Sequence, residues 1–345
     1  MSSGENAMIE NKEKQLTGPS LQVRGLKIYF PIHPGGLFRK AIPLKAVDSV
    51  DLDLYLGETL GVVGESGCGK STLGRGILQL LEPTAGEVVW LGEHLEGLSQ
   101  PAMKGYRKDM QIIFQDPLAS LNPRMTIGDI IAEPLTVHFP ELPPLERKKK
   151  VEEIMDHVGL LPLMINRYPH EFSGGQCQRI GVARAMILNP RLIICDEPVS
   201  ALDVSIQAQI VNLIKELQEE FELSLIFISH DLSIVRHISH RIMVLYLGNC
   251  MEIADKDSLY RNPRHPYTRA LISAVPIPDP QKERNKQRVV LEGDLPSPLA
   301  PPSGCVFRTR CPIAQDICAQ EKPKVVQVSK SHQVACHFWD RDDLK

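Results

Sequence analysis

The amino-acid sequence predicts an α/β fold in which parallel β-strands are joined by helices. Between Leu21 and about Asp255, short apolar runs alternate with segments of helical periodicity, which is typical of a parallel sheet with crossover helices. Three of these runs are clear strands, at residues 59–63, 192–195 and 225–229. Small or charged residues follow each run, and ligands of an open parallel sheet gather at the carboxyl ends of its strands. We therefore expect the functional residues at those strand ends.

The bulk composition indicates an ordinary globular protein. The 345 residues, 43% hydrophobic and 23% charged, suit about two domains. A formal net charge of −3 gives no basic footprint for nucleic acid, and no apolar stretch approaches the roughly 18 residues of a membrane span. Residues 1–15 are polar and lack the apolar core of a signal peptide, so we expect the protein to remain in the cytoplasm.

The sequence divides into three parts. Residues 1–20 alternate charged and small polar residues without an apolar period, which predicts a disordered tail. Residues 21–260 carry the alternating strand and helix pattern and form the main domain. From residue 261 prolines crowd the chain, which predicts a small C-terminal extension over residues 261–345. The charge run ERKKK at 146–150 is expected on a solvated helix face.

A glycine-rich phosphate loop stands between the first strand and a helix. The segment GESGCGKST has the spacing G-x-x-x-x-G-K-S/T in the strand-to-helix setting that this motif requires. Its glycines let backbone N–H groups turn toward one anion, and the following helix adds its dipole. Lys70 is expected to reach the β- and γ-phosphates, and Ser71 to bind Mg²⁺. The predicted nucleotide-contacting residues are Gly64, Glu65, Ser66, Gly67, Cys68, Gly69, Lys70, Ser71 and Thr72.

Two carboxylates close the second strand, in the sequence LIICDE. Asp196 is suited to hold the Mg²⁺ shell, and Glu197 is placed to polarise an attacking water. Adjacent carboxylates at a strand end can also be simple solubilising charge. A phosphate loop in the same chain makes magnesium and water the stronger interpretation.

A second helix start with anion-binding features lies in FSGGQCQR, at residues 172–179. Ser173 is a candidate cap, and two glycines lead into the helix that follows. Because the phosphate loop already holds one nucleotide, this second cradle is predicted to serve a nucleotide held by another such domain. That inference implies a head-to-tail pair with two ATP molecules between the faces. The alternative is a common Ser-Gly-Gly turn before a helix.

These motifs occur together in the order and rough spacing of ABC transporter ATPases. GESGCGKST, FQDP, FSGGQ, LIICDEP, SALD and ISHD each have a counterpart there, and the chain resembles that family over nearly all residues after 20. The resemblance implies a P-loop NTPase cassette with a RecA-like parallel sheet core, an antiparallel β subdomain and a helical subdomain. It also implies hydrolysis of ATP with Mg²⁺.

The resemblance further implies roles for individual residues. Glu197 would be the general base, His230 would contact the γ-phosphate, and Gln115 would sense the water and Mg²⁺ while linking to the membrane subunit. Phe30, with Tyr29 as the alternative, would stack on adenine. The residues expected at the partner's ATP or at the interface with it are Ser173, Gly174, Gly175, Gln176 and Asp203.

Two residues depart from the usual signature of this family. Phe172 replaces a leucine before the serine, and Cys177 stands where a basic or polar residue is usual. Neither departure removes a phosphate ligand. A hydrolysing site is therefore expected, rather than a regulatory module with inactive ATP chemistry.

Longer stretches at 120–135, 167–176 and 261–276 resemble the branch that imports dipeptides, oligopeptides and nickel, and most of all the F-type ATPase of dipeptide importers. That resemblance implies a heterodimer with a D-type ATPase, two membrane permeases and, indirectly, an extracytoplasmic peptide-binding protein. It implies a place on the cytoplasmic face of the plasma (inner) membrane. Glutathione, nickel or antimicrobial peptides are alternative cargoes. A soluble ABC ATPase acting on ribosomes or DNA is the alternative class, although a single phosphate loop and no sustained heptads disfavour it.

Four of the eight cysteines fall near the C-terminus: Cys305, Cys311, Cys318 and Cys336. Structural disulfides are rare in the cytoplasm, and the segment 299–337 is short and proline-rich, so a metal would stabilise it. The sequence gaps do not match the paired spacing of structural zinc sites. The segment also resembles the tail of peptide-importer ATPases, some of which carry an iron–sulfur cluster. We predict one [4Fe–4S] cluster, with zinc or four free thiols as alternatives and His332 and His337 as possible substitute ligands.

Overall fold

The computed structural model describes residues 18–33, 41–276, 279–286 and 289–341, and these form two compact units. The first unit comprises the described chain up to residue 55, together with residues 60–96 and the chain from 230 onward; the second comprises 56–59 and 97–229. The described residues from 261 onward belong to the same unit as the first strands. The predicted domain boundary after residue 260 stays a prediction. Of the predicted disordered tail at residues 1–20, residues 1–17 lie outside the described part of the chain. Residues 18–20 are described, and Ser20 is buried.

The strands in chain order are β1 Leu21–Ile32, β2 Ile42–Leu54, β3 Thr59–Val63, β4 Ala85–Trp90, β5 Glu93–His94, β6 Met110–Ile113, β7 Leu192–Asp196, β8 Ser224–Ser229, β9 Arg241–Tyr246, β10 Asn249–Asp255, β11 Val326–Ser329 and β12 His332–Val334. The helices are α1 Lys70–Ile77, α2 Gln100–Asp109, α3 Ile127–His138, α4 Pro144–His157, α5 Gly174–Met186, α6 Val204–Glu220, α7 Leu232–Ile238, α8 Lys256–Arg261, α9 Pro266–Ala274, α10 Pro280–Asn285 and α11 Asp316–Gln320. Short 3-10 turns occupy Pro162–Met164 and Pro169–Glu171.

The first unit contains an antiparallel sheet in the order β2-β1-β4-β5. Leu21 pairs with Leu54 on one side and with Trp90 on the other, and all three side chains are fully buried. Burial alternates along much of β1, as expected for a sheet with one face on the core. This sheet is the antiparallel β subdomain that the resemblance implied.

A second set of strands in the first unit follows the order β11-β12-β10-β9-β3. Here β3 and β9 are parallel, with Leu60 opposite Arg241, whereas β10, β12 and β11 add antiparallel strands at the edge. The C-terminal extension therefore continues the sheet that carries the phosphate loop, because β12 pairs with β10 through Val334 and Glu252.

The second unit is built on the parallel strands β6, β7 and β8, in the order β8-β7-β6. Every residue of β7 and β8 is buried, which explains their nearly continuous apolar sequence. The run ERKKK falls on α4 as predicted, where the pairs Lys148–Glu152 and Lys149–Glu153 are exposed. Across the described part of the chain, no helix combines the length and apolar character that a bilayer crossing needs.

Candidate functional site

The phosphate loop joins β3 to α1 in the setting that the sequence predicts. Gly69 occupies the N-cap of α1 with φ 102° and ψ 5°, and no side chain caps this helix. A Cβ at Gly69 would lie 2.0 Å from the carbonyl oxygen of Ala46, so only glycine fits there. The start of α1, with the positive end of its helix dipole, therefore lies directly behind this loop.

Lys70 is folded back over this loop and is only 4% exposed. Its Nζ donates to the carbonyl oxygens of Gly64 at 2.9 Å and Glu65 at 3.2 Å. The ammonium therefore lies against the loop that leads into α1. A compact polyanion such as a nucleoside triphosphate fits this combination of a cation and the positive end of a helix dipole.

Cys68 is a structural residue of the loop. It is 1% exposed, and burial raises the pKa of its thiol to about 11. The thiol is therefore protonated at neutral pH and fills the interior of the loop. Because the thiolate is the reactive form of cysteine, Cys68 is expected to be unreactive.

Two residues that the sequence did not single out hold Glu65. Its backbone N–H donates to the hydroxyl oxygen of Tyr267 at 3.0 Å, and its carboxylate accepts from Nη1 of Arg310 at 3.0 and 2.8 Å. These partners lie 202 and 245 residues further along the chain. No local sequence signal could have identified them, because the contacts exist only after the extension has folded onto the loop.

The strand-end carboxylates lie where predicted in the second unit. Asp196 ends β7 and is 1% exposed, and Glu197 follows with φ 47°, an uncommon conformation for a non-glycine residue. The Glu197 N–H donates to the carbonyl oxygen of Ile228 at 3.1 Å, which fixes the residue beside β8. Nε2 of Gln115 donates to Oε2 of Glu197 at 3.5 Å, so the structure brings together the predicted base and the predicted water-sensing amide.

The signature segment begins α5 with a reciprocal cap. Oγ of Ser173 accepts from the Gln176 N–H at 3.4 Å, and Oε1 of Gln176 accepts from the Ser173 N–H at 3.0 Å. This confirms Ser173 as the N-cap. Gly175 approaches the start of α6 so closely that a Cβ would lie 2.5 Å from Cγ2 of Ile206.

Asp203, at the N-cap of α6, makes no side-chain cap bond and is exposed, as is the neighbouring Val204 at 81%. The residues predicted to act on a partner's nucleotide therefore share one exposed region of the second unit. Their role toward a partner's nucleotide stays a prediction.

The structure separates the two aromatic candidates for adenine stacking. The Tyr29 hydroxyl donates to Oδ1 of Asp48, and Nζ of Lys45 lies 5.6 Å from the centre of its ring. Tyr29 is thereby held within the β1–β2 sheet, while Phe30 is half-buried. Phe30 remains the candidate. His230 follows β8 and is exposed; its contact with a γ-phosphate stays a prediction.

The four C-terminal cysteines lie close enough for their charges to interact. The pKa of Cys336 is raised to about 12 and that of Cys311 to about 11, mainly by burial and to a smaller extent by the nearby Cys305 and Cys318. The backbone N–H of Cys305 also donates to the carbonyl oxygen of Cys318 at 2.8 Å.

These side chains do not, however, form a site for a single metal ion in the described part of the chain. Within the described ranges, no three His, Cys, Asp or Glu side chains are arranged to hold a metal ion. Nε2 of His332 lies 2.7 Å from the Glu252 carboxylate, and Nε2 of His337 lies 3.0 Å from the Glu321 carbonyl oxygen. The two histidines considered as substitute ligands therefore have other partners.

Two known protein families match successive parts of the chain. The family described as ABC transporter matches residues 47–200, and the one described as oligopeptide/dipeptide transporter, C-terminal region, matches residues 251–318. The oligopeptide transport ATP-binding protein OppF of Haemophilus influenzae is 62% identical over 318 residues, which cover 92% of this chain and 96% of that protein. OppF of Salmonella typhimurium is 60% identical over 333 residues, covering 96% and 98%. The oligopeptide transport ATP-binding protein AppF of Bacillus subtilis is 55% identical over 320 residues, covering 92% and 97%.

Solved structures support the same fold. The dimeric structure of a post-hydrolysis state of the ATP-binding cassette MJ0796, bound to ADP and Pi, matches with a TM-score of 0.61 at 28% sequence identity. It covers 68% of this chain and 98% of that one. The cassette fold that the sequence motifs implied is thereby confirmed. Together with the near full-length identity to the transport proteins, it shows that this chain belongs to the ABC transporter ATP-binding protein family, in the branch with the oligopeptide/dipeptide transporter C-terminal region.

Proposed function

We propose that this chain binds ATP with Mg²⁺ and hydrolyses it to power the import of peptides through a membrane ABC transporter. The observation that carries the proposal is the phosphate loop, which joins β3 to the N-terminus of α1 through the glycine N-cap Gly69 and has the buried Lys70 folded against it. Such a loop favours a triphosphate over a neutral ligand, because the Lys70 ammonium and the positive end of the helix dipole both attract negative charge.

The proposed hydrolysis assigns a task to each side chain around the phosphates. Lys70 would bind the β- and γ-phosphates, and Ser71, Asp196 and Gln115 would hold Mg²⁺, which when bound neutralises charge on the phosphate oxygens. Glu197 would orient a water toward the γ-phosphorus and accept its proton as the bond to the ADP oxygen breaks. His230 would contact the γ-phosphate. The bond between Gln115 and Glu197 supports this assignment, since it orients the base.

The proposed partners follow from the exposed signature region. Ser173 to Gln176 and Asp203 would meet ATP held by a second, D-type ATPase in a heterodimer, and the related cassette MJ0796 has a dimeric structure. Two permeases would anchor the pair at the cytoplasmic face of the inner membrane, and a peptide-binding protein would deliver cargo from outside. The names of the relatives, all oligopeptide transport proteins, favour peptides over glutathione or nickel.

A reconstituted transporter tests this function. Membranes expressing the chain are solubilised in detergent, the proteins co-purifying with it are identified, and the complex is placed in vesicles with its binding protein. We expect two permeases and a second ATPase, and ATP hydrolysis that rises when a peptide is supplied. Recovery with ribosomes instead of permeases would contradict the proposal and favour the soluble class. Hydrolysis stimulated by nickel or glutathione and not by peptides would contradict the cargo alone.

We also propose that the four C-terminal cysteines ligate one [4Fe–4S] cluster with a structural or redox-sensing role. The effect of these cysteines on one another's pKa supports the proposal, because it requires the four thiols to lie near each other. Cys305, Cys311, Cys318 and Cys336 would hold the cluster through their sulfur atoms, each as a thiolate when it binds iron.

A further inference from the structure

Glu65 is one of the residues through which the rest of the chain holds the phosphate loop. Its N–H donates to the Tyr267 hydroxyl, and its carboxylate accepts from Arg310. Its carbonyl oxygen accepts from Nζ of Lys70 at 3.2 Å and from the Cys68 N–H at 3.2 Å. Glu65 therefore connects the C-terminal part of the chain directly to the lysine and the backbone that would bind phosphate.

The ion pair between Arg310 and Glu65 is well shielded. Nη1 of Arg310 lies 2.8 Å from one carboxylate oxygen and 3.0 Å from the other, with the arginine side chain 10% and the glutamate side chain 28% exposed. Burial opposes the charge on Arg310, but hydrogen bonds to Glu65 and Tyr246 outweigh it and raise the pKa of the guanidinium. Charge-assisted contacts of this kind are stronger than ordinary surface pairs.

A buried aromatic cluster supports both partners of Glu65. The rings of Tyr246, Tyr267 and Phe307 are fully buried and pack edge to face or tilted, with centroids 4.8, 5.2 and 5.3 Å apart. The Arg310 N–H donates to the Phe307 carbonyl oxygen at 3.0 Å, so Arg310 is carried on a turn anchored in this cluster.

His265 also packs against this cluster, with its ring centroid 5.5 Å from that of Phe307, and it holds the backbone of Tyr267. Burial lowers the pKa of His265 to about 4, so its imidazole is neutral at physiological pH. Nδ1 can then accept the Tyr267 N–H at 3.1 Å, which orders the first turn of α9. The loop is thus buttressed by a rigid surface and not by a mobile side chain.

We propose that Arg310 is a positioning residue for nucleotide binding, which holds Glu65 and thereby sets the phosphate loop and Lys70 in the geometry that receives the triphosphate. The inference rests on the proposed function, since it presumes that the loop binds ATP. It assigns to the C-terminal extension a direct part in nucleotide affinity. Because Arg310 stabilises the loop without touching the reacting atoms, its loss should weaken ATP binding more than it slows hydrolysis of bound ATP.

The test compares KM and kcat for ATP in the assembled transporter. Arg310→Gln is expected to raise the KM for ATP about three- to tenfold while kcat stays within about twofold. Glu65→Gln should raise the KM for ATP by a similar factor. The double variant should have a KM no higher than either single variant, because all three variants lose the same Arg310–Glu65 contact. The matched control is Arg308→Gln, since Nε of Arg308 bonds the Ser303 carbonyl oxygen within the extension.

Several outcomes would overturn the inference. An unchanged KM in Arg310→Gln, additive effects in the double variant, or an equal rise in KM in Arg308→Gln would each do so. If Arg310→Gln does not assemble into the transporter, Arg310→Lys is used, because lysine keeps the charge but lacks the planar geometry of guanidinium. Arg310→Lys is expected to raise the KM for ATP by the same factor. A wild-type KM in Arg310→Lys would contradict the inference. A wild-type complex that neither binds nor hydrolyses ATP would instead refute the proposed function itself.

Discussion

Glu197 shows at the scale of one residue how the fold prepares a carboxylate for chemistry. Its backbone is left-handed, which costs a non-glycine residue of order 1–3 kcal/mol, yet its N–H bonds Ile228 and its side chain meets Gln115. Lys70 is oriented differently, folded over the loop that would hold the phosphates in the ground state. The two residues should therefore affect different steps.

Substitution of these two residues should separate binding from hydrolysis. Lys70→Ala is expected to weaken ATP binding about 100-fold or more, because it removes the buried cation. Glu197→Gln should keep ATP affinity within about threefold and lower kcat about 100-fold or more, because the amide cannot accept the proton of water. Equilibrium binding of ATP and single-turnover hydrolysis measure the two effects. Glu222→Gln is the control, as Glu222 is exposed and has a similar φ of 51°. Wild-type turnover in Glu197→Gln would refute the assignment of the base.

At the scale of elements, the two helix starts predicted to bind anions differ in construction. The start of α1 has glycine at its N-cap and no side-chain cap, whereas Ser173 and Gln176 cap α5 reciprocally. A glycine at the N-cap leaves room for a phosphate group beside the helix end. A capped end already satisfies part of its donors, so contact with a partner's nucleotide would compete with the cap.

The loop before α1 should tolerate a side chain at Gly67 but not at Gly69. Gly67→Ala meets no atom within 4 Å and carries only the cost of φ 77°, about 1–2 kcal/mol. Gly69→Ala adds a 2.0 Å approach to the Ala46 oxygen, so it should cost at least about 2 kcal/mol more. Urea or thermal unfolding of the two variants measures the difference. Equal losses of stability would show that the loop can relax around a Cβ at position 69.

Elements buried on both faces could be predicted from sequence, and the C-terminal edge could not. The three predicted strands agree within a residue with β3, β7 and β8, because parallel strands covered on both sides are continuous apolar runs. In contrast, β11 has only four residues with a half-buried pattern, and its strand character depends on pairing with β12. Arg310 and Tyr267 escaped prediction for the same reason, since no short-range pattern records a contact across 200 or more residues.

At the scale of the whole molecule, the proposed partner follows from where the signature residues lie. Ser173, Asp203 and Val204 are on the exposed surface of the second unit, and Val204 is an apolar side chain at 81% exposure. An exposed valine at the start of α6 suits a surface that another cassette covers. The chain by itself would then lack half of each ATP site.

Hydrolysis should therefore depend on a second cassette. The isolated chain is expected to show low activity that rises with its concentration and rises further when the partner ATPase and permeases are added. Ser173→Arg should remove the rise through bulk and charge at the interface while leaving ATP binding to the chain's own loop unchanged. Specific activity measured against concentration, with and without partner, tests this. Full turnover at every concentration by the monomer would rule out the head-to-tail arrangement.

The last prediction concerns the segment that contains the four C-terminal cysteines. If Cys305, Cys311, Cys318 and Cys336 hold a cubane, protein purified without oxygen should contain about four iron and four sulfide per chain and absorb visible light. Cys311→Ser should lower the iron content and the unfolding temperature, because a short proline-rich segment has little apolar core of its own. Cys250→Ser is the matched control, since Cys250 belongs to the same unit and burial raises its pKa to about 12 as for Cys336. A colourless protein with one equivalent of zinc would establish the competing site, and a metal-free protein with four titratable thiols would establish free cysteines. Equal iron in Cys311→Ser and Cys250→Ser would place any bound iron elsewhere in the molecule.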